Sequence, residues 1–184
     1  VDFGCGEGVW LSVVSSIDKT IIIKGIDGDY VQNEEFKIPS DCFQGADLSD
    51  RIDVGRFDLA MCIEMAEHIE GESSDILIDN IVNSSDQILF SAAIPGQGGV
   101  HHVNEQWQEY WIEKFEKRGF YLDLSPRDYF WKNQKITPWR RQNLLFFSKE
   151  KVCLFPEAEP VRSLAHPEMF TLKVNNINNS IYYK

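Results

Sequence analysis

No apolar stretch in the sequence approaches the length of a membrane span, and no basic segment followed by an apolar run stands at its start, so neither a spanning helix nor a secretory signal is expected within it. Cysteine is scarce. Cys5, Cys42, Cys62 and Cys153 are widely separated, form no C-x-x-C pair and lie mostly in apolar stretches, the pattern of reduced, buried thiols in a cytosolic protein. There is no internal repeat and no low-complexity tract. Positive charge is the minority sign: 18 Lys and Arg face 29 Asp and Glu, a net charge of −11 that on average repels nucleic acid backbones and anionic membrane surfaces. The N/D-P-P-Y-type motif of nucleic acid base methylation is also missing. The average hides one basic segment. Lys114 to Lys151 contains ten basic and four acidic residues, a local +6 that leaves −17 for the rest, and an anionic partner would dock there.

What is present supports one folded domain: 184 residues, 43% hydrophobic and 12% aromatic. The chain begins without Met and inside a strand pattern, so a preceding segment is expected. Val1 to Gly8 is a short apolar run ending in glycines at alternate positions, and an amphipathic pattern of Trp10, Val13, Val14 and Ile17 follows at once. This is a strand turning sharply into a helix, where positions without side chains let a ligand lie on the backbone. The spacing is G-x-G-x-G, not the G-x-G-x-x-G of dinucleotide sites, which disfavours an NAD(P)-dependent oxidoreductase.

Further strands are predicted at Thr20–Asp27, Cys42–Asp47, Arg56–Ile63, Gln87–Ile94, Phe120–Leu124 and Asn143–Ser148. Helices are predicted over Ser73–Ser84 and from an Asn104 cap to Gly119, the latter burying Trp107, Tyr110, Trp111 and Phe115. Strands alternating with helices imply an α/β fold with a doubly wound, mostly parallel sheet. The link from Arg127 to Arg141 has little helical pattern and is too brief for a standard crossover, so the last two strands should be antiparallel neighbours. Its aromatic and basic residues read either as a flap or lip over an acceptor or as a solvated hairpin. Residues 1–149 form the domain, and 150–184, rich in proline and asparagine, a wrapping extension or loose end.

Ligands of open α/β sheets sit at the carboxyl ends of the strands. Asp27 stands there, nineteen positions after Gly8, where an acid accepts hydrogen bonds from ribose hydroxyls; a helix cap or turn residue is the alternative. Glu64, Glu67 and His68 share one face if their loop opens helically. Without H-E-x-x-H, a charge cluster at a helix start is the simpler reading, and no metal is expected. His101 and His102, in the glycine-rich loop 95–105, can close over an acceptor and act as general base, with His68 as the next candidate; loop histidines without function are the alternative.

Asp2-Phe3-Gly4-Cys5-Gly6-Glu7-Gly8, Asp27, Ala46-Asp47-Leu48 and Phe57-Asp58-Leu59 to Glu64-Met65-Ala66-Glu67-His68 together resemble the motifs of class I S-adenosylmethionine-dependent methyltransferases. The resemblance extends through Trp111 to Phe120 and Trp139 to Asn143. It implies a three-layer, doubly wound sheet of about seven strands with the last antiparallel. It implies S-adenosylmethionine contacts at Asp2, Gly4, Cys5, Gly6, Gly8, Asp27, Gly28, Ala46, Asp47, Leu48, Cys62 and Glu64. Asp2 would receive the ligand's ammonium, Asp47 the adenine amine, and Leu48 or Ile26 would pack on the ring. The implied reaction is methyl transfer to a small molecule or a sugar of a surface polysaccharide, on oxygen before nitrogen or carbon, with no nucleic acid or membrane partner. A non-catalytic S-adenosylmethionine-binding module is the other alternative.

Overall fold

The computed structural model describes residues 1–33, 36–159, 166, 168 and 169. In chain order the elements are β1 (Asp2–Phe3), α1 (Val9–Ile17), β2 (Gly25–Asp27), β3 (Phe43–Gly45), β4 (Ala60–Ile63), α2 (Ser74–Ser84), β5 (Gln87–Ser91), α3 (Gln108–Glu116), β6 (Tyr121–Asp123), α4 (Ser125–Phe130), α5 (Pro138–Asn143) and β7 (Leu145–Ser148). The seven strands make one sheet in the order β3-β2-β1-β4-β5-β7-β6. β1 to β5 pair in parallel, and β7 inserts antiparallel between β5 and β6. The expected doubly wound sheet is therefore present, with the last strand reversed and next to its predecessor. Successive strands step one way from β1 through β2 to β3 and the other way from β4 to β5. The carboxyl ends of β1 and β4 thus flank the switch point where such sheets form a crevice.

Side chains alternate between two faces, as the pleat requires. Ala60 and Cys62 of β4, with Ile88 and Phe90 of β5, point into the larger core, where Leu77, Ile78 and Ile81 of α2 and Trp111 and Phe115 of α3 cover them. Phe115 stacks on Phe147 with ring centroids 4.1 Å apart. Met61 and Leu89 point the other way, toward Cys5, Ile38 and Leu11 of α1. On that side the Arg140 guanidinium of α5 lies over the Trp10 ring.

Several elements differ from expectation. β2 starts at Gly25 rather than Thr20, because its pairing with β1 begins at Asp2↔Gly25; Ile21 and Ile22 are left exposed. β4 is likewise trimmed to Ala60–Ile63, since β5 meets it only from Ala60. In α1 the buried residue is Leu11, while Trp10, Val13 and Ile17 are exposed. Gly8 precedes the helix with φ +80°, and a Cβ there would collide with Ile38. α3 begins a turn late, so Trp107 stands exposed before it and Asn104 is no cap. Asn104 is buried and donates to Ser74 Oγ at the start of α2.

The Arg127–Arg141 link, expected to lack helix, holds most of α4 and the start of α5, each with proline in its first turn, where a missing N–H costs nothing. Part of the basic segment is paired internally. Arg118 pairs with Asp75 and Asp79 across α3 and α2, Lys114 pairs with Asp75, and the buried Arg141 bonds Trp131 O and Glu168. Of the 150–184 extension, Leu154 and Phe155 fold back on Asp123 and Ser125, and Phe155 stacks on Tyr129; most of the remainder lies outside the described residues. Among the described residues no helix is long and apolar enough to cross a membrane.

Candidate functional site

A cleft of about 900 Å³ opens at the carboxyl ends of β1, β2, β3 and β4. The glycine turn forms its floor, and its three glycines are required for different reasons. Gly4 has φ +82°, and a Cβ there would overlap the Met65 side chain. A Cβ on Gly8 would lie 2.7 Å from Ile38 Cγ1. Gly6 has φ +50°, yet a Cβ there meets no protein atom within 4 Å. Its bare backbone faces open space in the cleft, where a ligand can approach closely.

Asp27, at the end of β2, is buried and fixes this turn. Its Oδ2 accepts from Gly6 N at 2.7 Å, and its Oδ1 accepts from Gly28 N at 2.7 Å and from the Tyr30 hydroxyl at 2.8 Å. A carboxylate offers about four acceptor positions, so Oδ2 keeps one free for a ligand hydroxyl. The Asp27 bond pushes the Tyr30 phenol up to about 12. Asp2 is buried with neither carboxylate oxygen hydrogen-bonded, and burial pushes its carboxyl up to about 7. An orphaned acid two residues before Gly4 suits a ligand that carries a positive group.

Ala46, Asp47 and Leu48 form the wall beyond β3. Asp47 Oδ1 accepts from Ser49 N, which fixes its side chain in a tight turn. Leu48 lines the cleft, whereas Ile26 is wholly buried beneath it. Gly4, Gly6, Asp27, Gly28, Ala46, Asp47, Leu48, Glu64, His68 and His101 are thus brought together at one cavity. Asp2, Cys5, Gly8, Cys62 and His102 lie behind its surface. Cys5 packs on Leu11, Ile38 and Met61, and burial pushes its thiol up to about 12; Cys62 sits in the larger core with its thiol raised for the same reason.

Glu64 follows β4 in a left-handed conformation, φ +52°. Its backbone N–H donates to Ser91 O and Oγ, its Oε1 accepts from Asn143 Nδ2, and its Oε2 accepts from Gln97 Nε2. Asn143 also donates to Gln97 Oε1 and accepts from Gln142. Sequence reasoning missed Gln97 and Tyr30 as site residues and saw Gln142 and Asn143 only within a stretch of resemblance.

Beyond Glu64 a short 3-10 turn carries Glu67 and His68 against loop 95–105. Glu105 anchors that loop by accepting from Gly96 N, Gly98 N and, at 2.9 Å, His102 Nδ1. Burial works to raise the Glu105 carboxyl, and those bonds outweigh it and hold the carboxyl below its ordinary value. His102 Nε2 lies 3.9 Å from Glu67 Oε1, and its ring meets His68 edge-on with centroids 4.9 Å apart. His68 Nδ1 is 3.2 Å from His101 O. Glu67 is buried with Oε2 unpartnered, and burial followed by the Glu64 charge pushes it up to about 7. Burial lowers His68.

The cleft is lined by the carboxylates of Asp27, Asp29, Asp47, Glu64 and Glu70 and by no Lys or Arg among the described residues. Nothing of the 127–141 segment borders it, so the expected flap or basic lip is not part of this site.

Neither a protein-family model nor a curated protein sequence matches the chain. Solved structures do. LepI in complex with SAM is similar at 15% identity and TM-score 0.55 over 81% of this chain, which spans 42% of LepI. The methyltransferase domain of bacterial CtHen1-C is similar at 18% identity and TM-score 0.58, over 82% of this chain and 88% of that one. Magnesium protoporphyrin IX methyltransferase from Synechocystis PCC 6803 with bound SAH is similar at 14% identity and TM-score 0.58, over 81% of this chain and 73% of that one. This likeness, with the strand order above, shows the fold: the class I methyltransferase fold.

Proposed function

We propose that this chain is an S-adenosylmethionine-dependent methyltransferase that modifies a hydroxyl oxygen of a neutral small molecule or saccharide. One observation carries the cofactor reading: Gly6 offers bare backbone to the cleft while its N–H is held by Asp27, which keeps an acceptor position for a ribose hydroxyl. Asp2, behind the cleft surface, would receive the ligand's ammonium through water at its unpaired carboxyl, and Asp47 and Leu48 supply a polar edge and an apolar face for adenine. The structural neighbours solved with SAM or SAH support the same reading.

When bound, S-adenosylmethionine supplies a sulfonium-activated methyl group, the S–C electron pair returning to sulfur as the new C–O bond forms. The protein's task is to align the acceptor and remove its proton. The proton falls to the imidazoles beside the cleft, of which His68 and His101 line it. The acidic lining supports a neutral acceptor, because a phosphate would meet carboxylates and no cationic side chain. The same feature disfavours a nicotinamide dinucleotide, whose pyrophosphate would need donors or cations there.

The experiment is transfer of a labelled methyl group from S-adenosylmethionine to pooled saccharides, small hydroxylated metabolites and RNA. Label in the saccharide or small-molecule pool is expected. Label in RNA alone overturns the acceptor class, and cofactor binding without label in any pool favours a non-catalytic binding module.

A further inference from the structure

Glu67, His68 and His102 present donor atoms that all lie within 4.8 Å of one another. The tautomers follow from the outer hydrogen bonds. A backbone carbonyl only accepts, so His68 Nδ1, 3.2 Å from His101 O, carries a hydrogen. His102 Nδ1, 2.9 Å from the Glu105 carboxylate, does the same. In the neutral rings both Nε2 atoms are therefore bare lone pairs. His102 Nε2 faces Glu67 Oε1 at 3.9 Å with no hydrogen between them, and Glu67 Oε2 is buried without a partner. Three acceptors converge; the backbone N–H groups of Glu67 and Ala93 reach the Glu67 carboxylate and leave its Oε2 without a partner. A single proton can bridge one pair of them, whereas a cation satisfies all three.

We propose that Glu67, His68 and His102 bind one divalent transition-metal cation at the edge of the cleft. Two imidazoles and a carboxylate suit zinc, cobalt or manganese better than magnesium or calcium, which prefer all-oxygen shells. Metal–donor bonds of about 2.1 Å in a tetrahedral set put neighbouring donors about 3.4 Å apart, so groups that now lie within 4.8 Å of one another must close by roughly 1 Å on binding, a movement the exposed His68 side chain can make. Glu105 and His101 O orient the rings, as carboxylates and carbonyls do behind metal-bound histidines. Glu64 is not among the three groups whose donor atoms converge, and its two oxygens are turned toward Asn143 and Gln97. His68 reaches the cleft surface, so open coordination positions face the acceptor. On the methyltransferase reading, the cation lowers the pKa of a bound acceptor hydroxyl. His101, whose side chain is outside the set, is then the free imidazole for its proton.

The test titrates chelator-treated whole protein with Co²⁺, following visible absorption and calorimetric heat, and titrates S-adenosylhomocysteine in parallel. One Co²⁺ per chain is expected. Glu67→Gln, His68→Ala and His102→Ala should each weaken binding by ~100-fold, with far-ultraviolet circular dichroism unchanged. His101→Asn, which suits the left-handed φ of +59°, should leave it unaltered. Absence of Co²⁺ binding, or binding that survives all three substitutions, overturns the site. Co²⁺ binding without S-adenosylhomocysteine binding upholds the metal site and sinks the cofactor reading; the reverse sinks the metal site alone.

Discussion

Gly6 isolates the cofactor site at the scale of one residue. Gly4 and Gly8 are locked by Met65 and Ile38, so replacing either disturbs the fold as well as the cleft. Gly6→Ala meets no protein atom, and its cost to folding is the left-handed strain of an L-residue, about 1–2 kcal/mol. The added methyl group projects where the ligand must lie. The variant should therefore remain folded in a urea melt while binding S-adenosylhomocysteine at least ~10-fold more weakly, a difference of about 1.4 kcal/mol. Equal affinity would remove Gly6 from the site. Such residues were legible in the sequence because glycines at alternate positions and an acid at a strand end mark local backbone chemistry. Tyr30 was not, because nothing in its neighbourhood announces that its hydroxyl turns back to Asp27.

Loop 95–105 and the helix α5 meet at Glu64 through contacts that span 33 to 79 residues of sequence. Asn143, wholly buried at the end of α5, ties Glu64, Gln97 and Gln142 together. Asn143→Ala leaves those partners unsatisfied and should lower unfolding free energy by about 1–3 kcal/mol. Asn133→Ala, which removes only an exposed turn bond to Lys135 N, should cost much less. Equal effects in urea denaturation would show that the network carries no weight. None of this network was legible, since side-chain amides carry no periodicity and their partners come from tertiary approach. Strand identity was legible where apolar runs are continuous, as in β4, β5 and β7. Strand ends were not, because Thr20–Lys24 and Arg56–Leu59 have the composition of strands but lack neighbours to pair with. The rotation of α1 was misread too: Trp10, Val13 and Ile17 have apolar spacing, but Leu11 is the residue that packs on Cys5, Ile38 and Met61.

Over the whole molecule, the net charge of −11 and the acidic lining of the cleft point the same way. Three residues of the basic segment, Lys114, Arg118 and Arg141, are drawn into pairs with α2 and Glu168. Both features support the proposed acceptor without phosphate. On the proposed function, one switch-point cleft, floored by Gly6 and closed by Asp27, holds S-adenosylmethionine. Calorimetric titration of the unaltered protein with S-adenosylhomocysteine, and separately with NAD, tests it most directly. The claim requires one S-adenosylhomocysteine per chain with a dissociation constant on the order of micromolar, weakened at least ~10-fold by Asp27→Ala, and no heat from NAD. Binding of NAD without S-adenosylhomocysteine, or S-adenosylhomocysteine binding that Asp27→Ala leaves unchanged, would contradict it.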